Sequence, residues 1–123
     1  MAQKILIIED EEIMIHLLSK KISEEGYDVS VAVNGEEGLA QMRKVKPDLI
    51  LLDIVMPKMG GIETMEEMQK DENLKNIPVI IISNSGQPVE IDKAKQLGAK
   101  DWLVKTEFDP KEVIEKIKNQ FLG

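Results

Sequence analysis

Five short runs of Ile, Leu and Val, each followed by a stretch with helical spacing, constrain this chain more than any other feature. The runs are Lys4–Glu9, Asp28–Val33, Asp48–Asp53, Pro78–Ser83 and Trp102–Lys105. Three of them hold ILII, LILL and VIII, which are continuously apolar. A strand with one wet face alternates apolar and polar residues, whereas a strand covered on both faces does not. The runs therefore read as strands of a parallel sheet lying between helices. The intervening stretches agree. Met14, Leu17, Leu18 and Ile22 share one helical face, as do Ile62, Met65 and Met68. Ile91, Ala94 and Leu97 follow the fourth run, and Val113, Ile114, Ile117 and Phe121 follow the fifth.

The punctuation between periods supports five βα units. Gly26 and Gly98 stand where the first and fourth helices should stop. Asn34 with Glu37 three residues on reads as a helix start, and Asp109-Pro110 with Glu112 reads as another. No internal repeat, linker or low-complexity segment interrupts the 123 residues, so residues 1–123 are expected to be a single domain. Right-handed crossovers then give a doubly wound α/β sandwich of (βα)5 type. Ligands of such sheets bind beyond the carboxyl ends of the strands.

Composition removes several classes of function. A net charge of −7 disfavours a general attraction to nucleic acid or anionic lipid, so no direct nucleic-acid partner and no membrane partner are expected. The absence of cysteine excludes disulfides, thiol catalysis and thiolate zinc sites. The first residues, MAQKILII, lack the pattern of a signal peptide, and no apolar run has the length of a membrane span. A cytoplasmic location is the expectation.

Chemistry gathers at the predicted carboxyl rim. The first run ends in four consecutive acids, Glu9, Asp10, Glu11 and Glu12; the third ends in Asp53, the fourth in Ser83 and the fifth in Lys105. Two carboxylates about 4 Å apart repel by roughly 4 kcal/mol at an effective dielectric near 20, so acids that converge need a cation. Clustered carboxylates without histidine or cysteine suit a hard, oxygen-loving cation such as Mg²⁺, with Mn²⁺ as an alternative. Lys105 offers a flexible point charge for a phosphoryl oxygen, Ser83 a hydrogen bond, and Asp53 a carboxylate nucleophile. Phosphoryl transfer depends on positioning and charge neutralisation, which such a set supplies. Glu11 and Glu12 read as a solvated first helical turn, favoured by the helix dipole.

With these residues in place the chain resembles a response-regulator receiver domain of bacterial two-component signalling, of the stand-alone, chemotaxis-regulator-like kind. The resemblance rests on the pair Glu9-Asp10, Asp53 in LLDIVMPKMGG, Ser83 in VIIISNSG and Lys105 in GAKDWLVK, and it spans nearly the whole chain. Asp53, Pro57 and Gly61 keep the family's D-x-x-x-P-x-x-x-G spacing. It implies a flavodoxin-like sheet in the order 2-1-3-4-5. Asp53 would accept a phosphoryl group from the phosphohistidine of a sensor histidine kinase. Asp10 and Asp53 would hold Mg²⁺ with the backbone carbonyl of Val55, and Glu9 would act through water. Ser83 and Lys105 would bind phosphoryl oxygens, and Ser83 and Trp102 would move as the switch. Output would pass through the helix 4–strand 5–helix 5 face to an effector or a histidine phosphotransfer protein, because no output domain is expected after FLG. The domain would be no enzyme beyond its own phosphorylation and dephosphorylation.

Some positions depart from the family. Thr106 stands where the family has proline after the lysine, so the Lys105–Thr106 bond is expected to be trans. Asn84, larger than the usual small residue, would narrow access to Asp53, and Val55 and Ser85 occupy positions that tune phosphate loss. Trp102 is equally well read as a cover for apolar surface. His16 reads as a partly exposed helix residue rather than a phosphorylated or metal-binding histidine, and Met65 and Met68 as core filling. A flavin module is excluded because EDEE would repel its phosphate. A haloacid-dehalogenase-like phosphatase would need a D-x-D spacing on the first strand, and a Walker-type glycine loop is absent. The remaining rival is a receiver fold kept as an interaction module and never phosphorylated.

Overall fold

A computed structural model describes residues 2–84, 88–106 and 109–122. Five strands alternate with five helices: β1 Lys4–Ile8, α1 Glu12–Glu24, β2 Asp28–Ala32, α2 Gly35–Val45, β3 Leu49–Asp53, α3 Gly61–Gln69, β4 Val79–Ser83, α4 Pro88–Gln96, β5 Asp101–Val104 and α5 Pro110–Leu122. All neighbouring strands pair in parallel, in the order β2-β1-β3-β4-β5. The expected doubly wound, flavodoxin-like sandwich is therefore observed. Strand limits lie within about a residue of the apolar runs, and β5 begins one residue earlier, at Asp101.

The continuous apolar runs are explained by the two faces they feed. Ile5, Ile7, Leu49, Leu51, Ile80 and Ile82 pack against Leu18 and Ile22 of α1 and Val113, Ile114 and Ile117 of α5. The alternate residues Leu6, Ile8, Ile50, Leu52, Val79 and Ile81 pack against α2, α3 and α4. Burying each such side chain stabilises the fold by about 1.5–3 kcal/mol, so both layers are held to the sheet along its length. Met65 and Met68 are 2% exposed and fill the second layer, as their spacing predicts. Leu17 departs from its predicted role: it is 41% exposed, at the edge of the α1 face rather than in it.

The predicted helix ends are also present. Asn34 Oδ1 accepts the Glu37 N–H at 3.0 Å, and Asp109 Oδ1 accepts the Lys111 N–H at 2.8 Å. Gly26 and Gly98 take φ of +93° and +104°, the left-handed conformation that ends α1 and α4. No helix among the described residues is long and apolar enough to cross a membrane.

Candidate functional site

Strand register brings the polar residues to one rim. Ile8 pairs with Leu52, so Glu9 lies beside Asp53; Asp53 pairs with Ile82, so Ser83 lies one step beyond. Ser83 pairs with Val104, and the Lys105 N–H donates to the Ser83 carbonyl at 2.7 Å. The D-x-x-x-P-x-x-x-G spacing has a backbone reason. The Gly61 N–H donates to the Ile54 carbonyl at 2.8 Å, and a Cβ on Gly61 would stand 2.3 Å from the Asp53 carbonyl oxygen. Only glycine lets α3 start against the chain that carries Asp53. In between, Lys58 takes φ of +65° in a tight turn closed by the Met59 N–H on the Pro57 carbonyl at 2.7 Å. Neither glycine nor asparagine marks that turn in the sequence.

The rim is dry and overcharged. Glu9 is fully buried, Asp53 is 2% exposed and Ser83 3%. Lys105, with its side chain 3% exposed, answers the acids. Its Nζ lies 3.1 Å from Asp53 Oδ2, 3.0 Å from Glu9 Oε2 and 2.5 Å from Glu11 Oε1. Glu9 Oε2 also accepts the backbone N–H groups of Asp10 and Glu11, each at 3.0 Å. Burial, then the charge of Glu9, pushes the Asp53 carboxyl up to about 7 against the pull of Lys105. Burial works against the Lys105 ammonium, yet its hydrogen bonds to Glu11, Glu9 and Asp53 outweigh that, and its pKa rises. One lysine is not enough positive charge for this cluster.

The shortfall has the chemistry of a cation site. One carboxylate oxygen each from Glu9, Asp10 and Asp53 lies within 4.8 Å of the others, with Asp10 exposed and the other two buried. Glu9 Oε1 is 2.8 Å from Lys105 Nζ, but that approach lacks hydrogen-bond geometry, and this buried oxygen has no hydrogen-bond partner among the described residues. An all-oxygen, anionic donor set of three carboxylates beside a single ammonium fits Mg²⁺ or Mn²⁺.

Glu11, at the N-cap of α1, is exposed as expected, and its carboxylate also bonds Lys105, a contact 94 residues apart that no local pattern signals. Glu9 is folded inward onto backbone and lysine. The Lys105–Thr106 bond is trans, as expected, since no described peptide bond is cis. Val55 is 66% exposed beside the site, and Asn84 is exposed at the end of β4. Ser85 lies outside the described residues. Trp102, 37% exposed on edge strand β5, has Lys95 Nζ of α4 at 4.3 Å from its ring centroid. His16 is exposed.

Comparison with known proteins agrees with this fold. Residues 5–118 match the family model of the response regulator receiver domain. The chain is 37% identical over 119 residues to the chemotaxis protein CheY of Thermotoga maritima, covering 95% of this chain and 96% of that one. It is 35% identical over 118 residues to the alkaline phosphatase synthesis transcriptional regulatory protein PhoP of Bacillus subtilis, covering 96% of this chain but 48% of that regulator, about half its length. Among solved structures, the chemotaxis response regulator CheY4 of Vibrio cholerae superposes with a TM-score of 0.89 at 28% identity, over 97% of this chain and 98% of that one. With the family model matched over most of its length, the chain belongs to the response regulator receiver domains, the signalling domains of two-component systems.

Proposed function

We propose that this domain is a phosphorylation-dependent switch in which Asp53 accepts a phosphoryl group from the phosphohistidine of a sensor histidine kinase. The observation that carries this reading is the buried Asp53 carboxylate, held beside Glu9 and Asp10 and sharing one lysine with Glu9. In the transfer, an Asp53 carboxylate oxygen forms a bond to phosphorus as the P–N bond to the donor imidazole breaks, and that electron pair stays on the ring nitrogen. Lys105 and Ser83 donate to phosphoryl oxygens. Glu9, Asp10 and Asp53, with the Val55 backbone carbonyl, would hold Mg²⁺, or Mn²⁺ in its place. Bound there, the divalent cation supplies the charge that keeps Asp53 ionised and offsets the transferred group.

The catalysis is confined to the domain's own phosphorylation and dephosphorylation. Val55 offers no group to orient a water and Asn84 narrows access, so the phosphoryl state is persistent; an aspartyl-phosphate lost within seconds would count against this. Rearrangement of Ser83 and Trp102 carries the signal to the α4–β5–α5 face, where an effector or a histidine phosphotransfer protein binds. A cytoplasmic setting follows from a kinase donor of this kind.

The test is incubation with Mg²⁺ and acetyl phosphate. The expected result is a mass gain of one phosphoryl group, lost in Asp53→Asn. No gain, together with no Mg²⁺-dependent change of Trp102 fluorescence on adding beryllofluoride, would overturn the switch and assign the chain to non-phosphorylated interaction modules.

A further inference from the structure

We propose that Glu11 holds Lys105 in the unphosphorylated protein and must release it to the phosphoryl group on Asp53, which makes Glu11 a positioning residue that restrains phosphorylation. This rests on Asp53 being the phosphoacceptor, as proposed above. An ammonium has three donors and no acceptor. Those of Lys105 are engaged by Glu11 at 2.5 Å, Glu9 at 3.0 Å and Asp53 at 3.1 Å. A phosphoryl oxygen reaches the ammonium only by displacing one of these acceptors.

Burial decides which one gives way. Glu9 is 0% exposed, and losing the lysine would leave its charge stranded in a dry site. Asp53 is the attachment point of the incoming group. The Glu11 side chain is 55% exposed, so on release its carboxylate returns to water at little penalty. Nothing else in the helix start depends on that side chain: Glu11 occupies the N-cap position of α1 without making a side-chain cap bond. A residue that binds the essential cation most closely, is wettest, and serves no capping role is the exchangeable arm. Its charge also opposes the approach of an anionic phosphodonor.

The experiment compares the wild type with E11Q, E11D and E12Q at saturating Mg²⁺, following acetyl-phosphate-driven phosphorylation by mass or Trp102 fluorescence. E11Q should be faster by about two- to fivefold, a modest factor because the carboxylate that is lost stands half in water. E11D keeps the charge but shortens the reach to Nζ, and it should be faster as well. E12Q removes a neighbouring exposed charge from the same helical turn and should match the wild type. E11Q or E11D at wild-type speed overturns the proposal, as does equal acceleration by E12Q, which would mean a general charge effect. Failure of the wild type itself to be phosphorylated overturns the phosphoacceptor reading instead. Thermal melts of the variants check that α1 is intact.

Discussion

The two rims of the sheet handle charge in opposite ways. At the amino rim, before the strands begin, the bonded carboxylates meet their partners beside water. Asp48 Oδ2 accepts the Lys4 backbone N–H at 2.8 Å, and Arg43 faces Asp71 at 3.6 Å with side chains 56% and 27% exposed. At the carboxyl rim one buried ammonium is divided among three carboxylates, two of them almost sealed from solvent. Exposed one-to-one pairs contribute little to stability and lose little when broken. A buried excess of acid is unfavourable, and a fold keeps such an excess where binding or reaction relieves it. Charge that is already answered beside water and charge that is left buried and in excess therefore lie at opposite ends of the same strands.

The largest expected effect tests that contrast directly. Lys105→Met leaves Glu9 and Asp53 buried without a cation, and removing one partner of a buried pair costs about 3–5 kcal/mol. Urea denaturation at pH 8 without divalent cations should show a loss in that range, shrinking at pH 5, where Asp53 takes up a proton. A loss under about 1 kcal/mol at pH 8 would mean the carboxyl rim is no more demanding than the other.

Asp53→Asn should act in the opposite direction. The Asp53 carboxyl is raised from 3.8 to about 7 by burial and by Glu9. A folded state with the higher pKa retains a proton that the unfolded chain releases, so its contribution is fully present below about pH 4 and is lost as pH rises through about 7. Without metal, the wild type should therefore lose stability across that window, by about 2–4 kcal/mol. Asp53→Asn removes the titration and should be the more stable protein at pH 8 by a similar amount, with little difference at pH 4. Parallel pH profiles of melting temperature for the two proteins would break the account.

Legibility in the sequence follows the same division between local pattern and long-range meeting. ILII, LILL and VIII announce strands because burial on both faces removes every polar residue, and Asp109-Pro110 announces α5 because capping is local. The meeting of Glu9, Asp10 and Asp53 could be expected because each ends a strand, and parallel strands end on one rim. The bond from Glu11 to Lys105 could not, since it depends on side-chain reach across the site rather than on register. Leu17 fits the helical period of α1 yet lies at the margin of its buried face, because a period gives direction without giving the width of the cover. The Lys58 turn was invisible for a different reason: a non-glycine residue held at φ +65° is imposed by the closure of the loop around Gly61, not chosen by its own propensity.

Neutral polar groups near the carboxyl rim should behave as they would anywhere. Asn34 is 7% exposed and caps α2 through the Glu37 N–H at 3.0 Å. Asn34→Ala should lower stability by about 1 kcal/mol, by the same amount at pH 5 and pH 8, because no proton is taken up or released. A pH-dependent loss would show that the cap is coupled to the charged cluster, and the contrast would then extend beyond Lys105 and its acids.

The smallest expected effect lies at the opposite rim. Arg43→Ala removes the partner of Asp71, but that carboxylate already has water beside it, at 27% exposure, and no buried charge is stranded. The residue also borders a cavity of about 400 Å³ with Lys46, Asp71 and Leu74, so its stem has room on one side and little packing to lose. The expected loss is under about 1 kcal/mol, shrinking further as salt is raised because the pair is screened by solvent ions. If Arg43→Ala instead approached the effect of Lys105→Met, exposure would not be what separates the rims, and the number of acids per cation would have to be tested alone by adding a second acid beside Arg43.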